Sequence, residues 1–243
     1  MVGARANQDT RNITEAIALY HEGNYAQALA LLMAAVPGSP WETTEVPYYA
    51  GLCCMRLKRQ EDALGYLEQV VTSDVSLERV RQCRILLAVV YALTGRERLA
   101  DFELRKLLDT GYKKAVVYGA LAYIAWIQKK PEDAAAYYEM ALTEDETSVT
   151  AVNGMGYVLA CMGKNLPRAI SLCKQAVGLA PESAACLDSL GWAYFKMGLL
   201  SDAKSFVKQA QSLDGENIEI KSHLEAILAE ERARQTPEEG QRA

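Results

Sequence analysis

The sequence predicts an all-α fold, a solenoid of six helical hairpins followed by a C-terminal capping helix. Six alanines recur at intervals of 35, 37, 34, 35 and 34 residues, and each follows another small residue by about a dozen positions. A period near 34 residues with small residues at fixed places is typical of stacked helical hairpins, whose backbones approach closely. The alanines are Ala28, Ala63, Ala100, Ala134, Ala169 and Ala203, and their partners are Ala16, Gly51, Ala88, Ala122, Gly156 and Gly191.

These two series divide the chain into six units of two antiparallel helices each. The first helix should present its small residue within an apolar stripe, and the second should open on the alanine. Because one hairpin cannot bury both of its faces, we expect the units to stack as a single domain. Residues 1–8 are expected to be flexible, and the units are expected at 9–42, 44–77, 78–113, 115–148, 149–182 and 184–216.

Glycines mark the turns inside the hairpins. A helix often ends on a residue in the left-handed conformation, which glycine adopts without steric cost. Four glycines stand where the first helix of a unit should end, namely Gly23, Gly95, Gly163 and Gly198. Two places depart from the regular period: the 37-residue interval, which lengthens the junction at 73–77, and the spacing from Gly156 to Ala169, which has one residue more than the others. We expect both insertions to lie in loops.

A last helix is expected at residues 217–234. It carries Ile220, Leu224, Ile227 and Leu228 on one face and charged residues elsewhere, so it should seal the exposed end of the array. Residues 235–243 combine charges with Thr, Pro and Gly and are expected to be disordered.

The alternation of small residue, turn glycine and alanine resembles the tetratricopeptide repeat (TPR) family over almost the whole chain. This resemblance implies a right-handed α-solenoid of TPR-like hairpins. The closing third is similar to the terminal repeats of bacterial envelope TPR lipoproteins, some of which act as adaptors that bring substrates to periplasmic proteases. That narrower resemblance rests on the segments 153–157, 180–182 and 187–194 and on His223 with Leu224.

Composition excludes several partners and sites. Half of the residues are hydrophobic and 23% are charged, and the net charge of −5 offers no basic field for nucleic acid. No apolar run is long enough to cross a membrane. The polar N-terminus predicts a cytoplasmic protein, or a periplasmic or lipid-anchored one if the chain is trimmed. The six cysteines lack paired spacing and are expected to be buried thiols.

The residues needed for catalysis are not found together. The two histidines, His21 and His223, stand at opposite ends of the sequence, so we expect no catalytic triad. The glycines are spaced as helix terminators and form no phosphate-binding loop. The acidic run 144–146 is expected to be a solvated junction. We therefore expect no enzyme activity, no cofactor and no metal.

A protein-binding groove is the predicted functional site. The first helices of successive hairpins line a concave face in such arrays, and residues three and four apart share one side of a helix. The expected lining is Tyr20, Tyr48, Leu52, Met55, Ile85, Val89, Tyr123, Trp126, Asn153, Tyr157, Asp188, Trp192 and Phe195. This aromatic surface suits an apolar or amphipathic segment of a protein or peptide. We expect Asn153 to bond the ligand backbone and Asp188 to disfavour acidic partners.

Three alternatives remain open on the sequence alone. The aromatic residues could pack between hairpins or be covered by the chain's own termini. The chain could form a homo-oligomer through this face or through the last helix. It could also serve as a ligand-binding or transport-accessory protein of the bacterial envelope, with a closed pocket near Trp126 and Tyr157.

Overall fold

The structure is a computed structural model that describes residues 2–36, 38–73 and 76–235 of the 243-residue chain. The described residues form thirteen α-helices and no strand. Contacts divide the chain into two compact units, residues 1–112 and 113–243. The repeat period does not indicate where such a division falls, and the expected stacking of all six hairpins as a single domain stays a prediction.

The first unit contains three helical hairpins. They pair α1 with α2, α3 with α4, and α5 with α6, and α2 and α4 also pack on the hairpin that follows. The helices are α1 (Val2–His21), α2 (Tyr25–Ala34), α3 (Pro40–Arg56), α4 (Gln60–Ser73), α5 (Leu77–Leu93) and α6 (Glu97–Asp109).

The second unit contains three further hairpins and the last helix. The first helices of its hairpins, α7, α9 and α11, pack in series, and α13 packs on both α11 and α12. The helices are α7 (Ala115–Ile127), α8 (Pro131–Glu144), α9 (Val149–Met162), α10 (Leu166–Leu179), α11 (Ala184–Lys196), α12 (Leu200–Leu213) and α13 (Ile218–Gln235).

The small residues lie at helix contacts, as predicted. All six alanines of the repeat series are fully buried. The glycines of the partner series leave no room for a side chain: a Cβ atom on Gly156 would lie 2.6 Å from the sulfur of Cys173, and one on Gly191 would lie 2.5 Å from Val207 Cγ2. The repeat spacing therefore reports where the two helices of a hairpin touch.

All six hairpin turns contain a residue in the left-handed conformation. The prediction for Gly23, Gly95, Gly163 and Gly198 is confirmed, since their φ angles lie between 65° and 86°. The other two turns place lysines in the same conformation, Lys58 with φ 58° and Lys129 with φ 61°. The turn geometry is thus uniform even where the glycine signal is missing.

Several helix boundaries differ from the expected units. Helix α1 begins at Val2, so residues 2–8, which we expected to be flexible, are helical. Helix α3 begins at Pro40, inside the expected first unit, because Ser39 and Glu42 form a capping box that fixes its start. The extra residue after Gly156 lies in the loop 163–165. The other insertion was expected at 73–77, where α4 ends at Ser73 and α5 begins at Leu77, and residues 74 and 75 lie outside the described residues. Residues 236–243, within the tail expected to be disordered, lie outside the described residues.

Helix α13 caps the second unit as the sequence indicated. Ile220, Leu224 and Ile227 pack against a buried cluster from α11 and α12 that includes Leu187 and Val207. Ile220 is 2% exposed and Ile227 is fully buried, so each stabilises this docking by about 1.5–3 kcal/mol. None of the described helices combines the length and the apolar character that a membrane span needs.

Candidate functional site

The predicted groove residues fall into both units. Tyr20, Tyr48, Leu52, Met55, Ile85 and Val89 belong to the first, and Tyr123, Trp126, Asn153, Tyr157, Asp188, Trp192 and Phe195 belong to the second. The two groups have different surroundings within their own units. Five members of the second group line one pocket.

In the first unit the tyrosines pack on one another and on neighbouring side chains. The ring centroids of Tyr20 and Tyr49 lie 5.4 Å apart, and those of Tyr48 and Tyr49 lie 5.2 Å apart. The Tyr48 hydroxyl donates to Gln82 Oε1 at 2.7 Å, and the Arg79 guanidinium lies 4.9 Å from the Tyr48 ring centroid. Burial raises the pKa of Tyr48 to about 12. These side chains already have partners within the unit.

In the second unit a pocket of about 370 Å³ opens beside the first helices of the hairpins. Residues of α7, α8, α9, α11 and the first turn of α13 line it. Five of the predicted groove residues line it: Tyr123, Trp126, Asn153, Tyr157 and Asp188. Helical spacing places the residues of each helix on one face, which is why the sequence grouped these five, and their role in binding stays a prediction.

Aromatic rings form much of the pocket wall. The ring centroids of Trp126 and Tyr157 lie 5.6 Å apart in an edge-on arrangement, and Tyr123 is 38% exposed. Tyr138 enters from α8 over Gly154, where a Cβ atom would lie 2.2 Å from the tyrosine Cζ. Tyr138 is absent from the predicted lining, because it belongs to a second helix and reaches the pocket only where the neighbouring residue has no side chain.

Two residues that line the pocket each carry a buried oxygen with no hydrogen-bond partner among the described residues. Asp188 is 5% exposed, and its Oδ2 lies 2.8 Å from His223 Nδ1. Its other oxygen, Oδ1, and Asn153 Oδ1 have no hydrogen-bond partner among the described residues. A buried acceptor without a donor costs about 1–3 kcal/mol, so such oxygens are often completed by a ligand or water.

Glu219 supplies a second carboxylate at the start of α13. The Tyr157 hydroxyl donates to Glu219 Oε1 at 2.5 Å, across 62 residues of sequence. Burial of Tyr157, together with this bond to a carboxylate, raises the pKa of its hydroxyl above the ordinary tyrosine range. The described residues that line the pocket include two carboxylates, Asp188 and Glu219, and neither lysine nor arginine.

Trp192 and Phe195 do not line the pocket but lie near α13. The Trp192 ring stacks on His223 with 4.0 Å between centroids, and on Phe195 with 4.9 Å. Phe195 packs against the buried cluster that includes Leu224. Helix α13 therefore covers Trp192 and Phe195. This agrees, for these two residues, with the alternative that the chain's own terminus covers part of the aromatic face.

The Asp188–His223 pair resembles part of a catalytic triad but holds a structural position. The imidazole ring stacks on Trp192, and among the described residues no serine or threonine hydroxyl hydrogen-bonds to it. The cysteines are free thiols, and five of the six are buried. Burial raises the pKa of both Cys83 and Cys173 to about 12, which suppresses the reactive thiolate.

The described helices define a fold class, the all-α repeat solenoids built from consecutive helical hairpins. Tetratricopeptide repeat family models match residues 120–184 and 184–217. The matched stretch, residues 120–217, is similar to tetratricopeptide repeats and lies in the second unit.

Comparison with known proteins agrees with this class. A TPR repeat-containing protein of Pseudomonas aeruginosa is 31% identical over 83 residues, covering 34% of this chain but only 14% of that protein. A crystal structure of a tetratricopeptide repeat protein from Parabacteroides merdae matches 90% of this chain and 84% of its own, with a TM-score of 0.74 and 14% identity. Yeast Tom70 matches 88% of this chain and 48% of its own, with a TM-score of 0.63 and 16% identity. At these identities the solved structures show the fold alone.

Proposed function

We propose that this protein is an adaptor that holds an apolar or amphipathic segment of a partner protein in the pocket of its second unit. The observation that carries the proposal is the pocket itself, where Tyr123, Trp126 and Tyr157 border open space of about 370 Å³. Ligand pockets in proteins are commonly about 300–1,000 Å³ and mostly apolar, with a few placed polar groups. The space suits anchor side chains of a segment better than a whole folded domain.

The aromatic wall supports a peptide anchor. Large rings contribute most of the binding energy at many protein interfaces, because they bury a large area at a small entropic cost. Tyr123 and Trp126 come from consecutive turns of α7, and Asn153 lies near them on α9. An amide hydrogen of the bound segment would satisfy Asn153 Oδ1, which lacks a donor among the described residues.

The proposal is tested by selecting peptides against the intact protein from a random display library. Selected peptides are then measured by fluorescence anisotropy against the wild type and the double variant Tyr123→Ala with Trp126→Ala. We expect the double variant to lose at least about 100-fold in affinity, since two aromatic anchors of about 2 kcal/mol each are removed. Phe102→Ala is the matched control, because Phe102 is 49% exposed and lies in the other unit.

Two results would contradict the proposal. One is a set of selected peptides that bind the double variant as tightly as the wild type, which would place the binding surface elsewhere. The other is a doubled mass in light scattering that the same double variant abolishes, because a second copy of the chain would then be the occupant.

A further inference from the structure

The proposed pocket combines negative charge with aromatic faces, and this combination selects a particular chemistry. Its described lining contributes two carboxylates, four aromatic rings and no lysine or arginine. The rings are Tyr123, Trp126, Tyr138 and Tyr157. Aromatic faces attract cations through their quadrupole, and a carboxylate nearby adds to that attraction.

We infer that the pocket recognises a basic side chain of the partner segment, and specifically the guanidinium of an arginine. This inference rests on the proposed function, because it names the anchor that the pocket takes. Arginine fits better than lysine for two reasons. Its planar group stacks on aromatic rings, and its five fixed donors can serve several acceptors at once, whereas an ammonium is a compact and strongly hydrated charge.

Three acceptor groups converge on the pocket. Glu219 is exposed at its mouth, while Asn153 and Asp188 each carry a buried oxygen without a partner among the described residues. The Asp188 side chain is 8% exposed and is held through its other oxygen by His223. A guanidinium in the pocket would contact Glu219 and the aromatic rings, and the buried carboxylate of Asp188 would add to the attraction.

Other anchors fit this lining less well. An acidic side chain would be repelled by the like charges of Asp188 and Glu219. A purely apolar side chain would leave the buried Asp188 oxygen without a donor, which is unfavourable for a buried acceptor. A cation is the class of ligand that relieves both problems.

The test uses a small probe, N-acetyl-arginine amide, and follows the indole signals of uniformly ¹⁵N-labelled full-length protein by NMR. We expect a saturable shift of the Trp126 indole with a Kd on the order of 1 mM, as befits so small a ligand. N-acetyl-citrulline amide has the same shape without the charge and should bind at least about 10-fold more weakly. N-acetyl-lysine amide should fall between the two.

Substitutions test which carboxylates attract the arginine probe. Glu219→Gln should weaken the arginine probe about 3- to 10-fold and leave the citrulline probe unchanged. Glu225→Gln is the matched control, since Glu225 is an exposed carboxylate on the same helix that does not line the pocket. Asp188→Asn should act like Glu219→Gln. Because Asp188→Asn also alters the contact with His223, the Glu219 variant decides the result if Asp188→Asn fails to fold.

The inference is overturned if the citrulline probe binds as tightly as the arginine probe, or if the arginine probe gives no saturable shift. It is also overturned if Glu225→Gln weakens binding of the arginine probe as much as Glu219→Gln does. Loss of the Glu219 charge would then act through long-range electrostatics and not through contact in the pocket. Failure of the arginine anchor can be distinguished from failure of the proposed adaptor function. Display peptides that need Tyr123 and Trp126 but tolerate arginine-to-citrulline exchange would support the adaptor and refute the arginine anchor.

Discussion

The tight contact at Gly191 gives a prediction whose sign can be worked out from distances. A Cβ atom at this position would lie 2.5 Å from Val207 Cγ2, 3.0 Å from the Ala203 carbonyl oxygen and 3.0 Å from the Val207 nitrogen. Two of these three atoms belong to the backbone of α12, which cannot move aside as a side-chain tip can. Gly191→Ala therefore forces α11 and α12 apart within their hairpin.

Two opposing effects set the magnitude of this change. Replacing glycine by alanine inside a helix stabilises it by about 1 kcal/mol through the loss of backbone freedom in the unfolded chain. Overpacking a close contact costs about 1–3 kcal/mol, and the backbone contacts place Gly191 near the upper end. We expect a net destabilisation of about 2 kcal/mol, which corresponds to a decrease in Tm of about 4–8 °C for a chain of this size.

Gly178→Ala provides the matched control in the neighbouring hairpin. Gly178 lies on helix α10 and is exposed, and no described atom lies within 4 Å of the position that an alanine methyl group would take there. This variant should gain up to about 1 kcal/mol and melt slightly higher. Circular dichroism at 222 nm during heating measures both variants. The reasoning is refuted if both glycines respond with the same sign, because the close approach would then have no energetic consequence.

Two further predictions concern the covered aromatic residue and the buried thiols. Trp192→Ala should destabilise the second unit by about 2–4 kcal/mol and speed amide hydrogen exchange in α13, because Trp192 stacks on His223 of that helix. Equal exchange rates in the variant and the wild type would contradict this packing. At pH 8, iodoacetamide should label Cys83 and Cys173 at least about 100-fold more slowly in the native protein than in the urea-unfolded protein. Burial raises the pKa of both thiols to about 12, so the reactive thiolate forms only as the pH approaches that value. Peptide mass spectrometry measures the labelling, and comparable native and unfolded rates would argue against this burial.

The repeat architecture could be predicted from sequence because its signals are local. A helix that touches its hairpin partner needs a small residue at the contact, and a turn that reverses the chain favours glycine at a left-handed position. Gly156 and Gly163 each show one of these requirements, and the structure confirms both. Lys58 and Lys129 show the limit of the signal, because the structure places the same conformation on residues that do not favour it.

The pocket could be predicted only in part, because two of its polar contacts join residues that lie far apart in the sequence. Helical spacing put Tyr123, Trp126 and Tyr157 on one face. The bond from Tyr157 to Glu219 spans 62 residues, and the Asp188–His223 contact spans 35. Both depend on where α13 docks, and an amphipathic pattern predicts that a helix packs without telling which groove residues it meets.

Helix α13 therefore has two roles that are energetically linked. Its apolar face completes the core through Ile220 and Ile227, and its first turn brings Glu219 to the pocket, with His223 one helical turn further on beneath Asp188. A cation that bridges Glu219 and Asp188 would contact α11 and α13 at once. By linkage, such a ligand must stabilise the docking of α13 by as much as that docking strengthens its binding. Ligand binding and the docking of α13 would then be coupled. A substitution outside the pocket lining that loosens α13 should therefore weaken binding of the arginine probe.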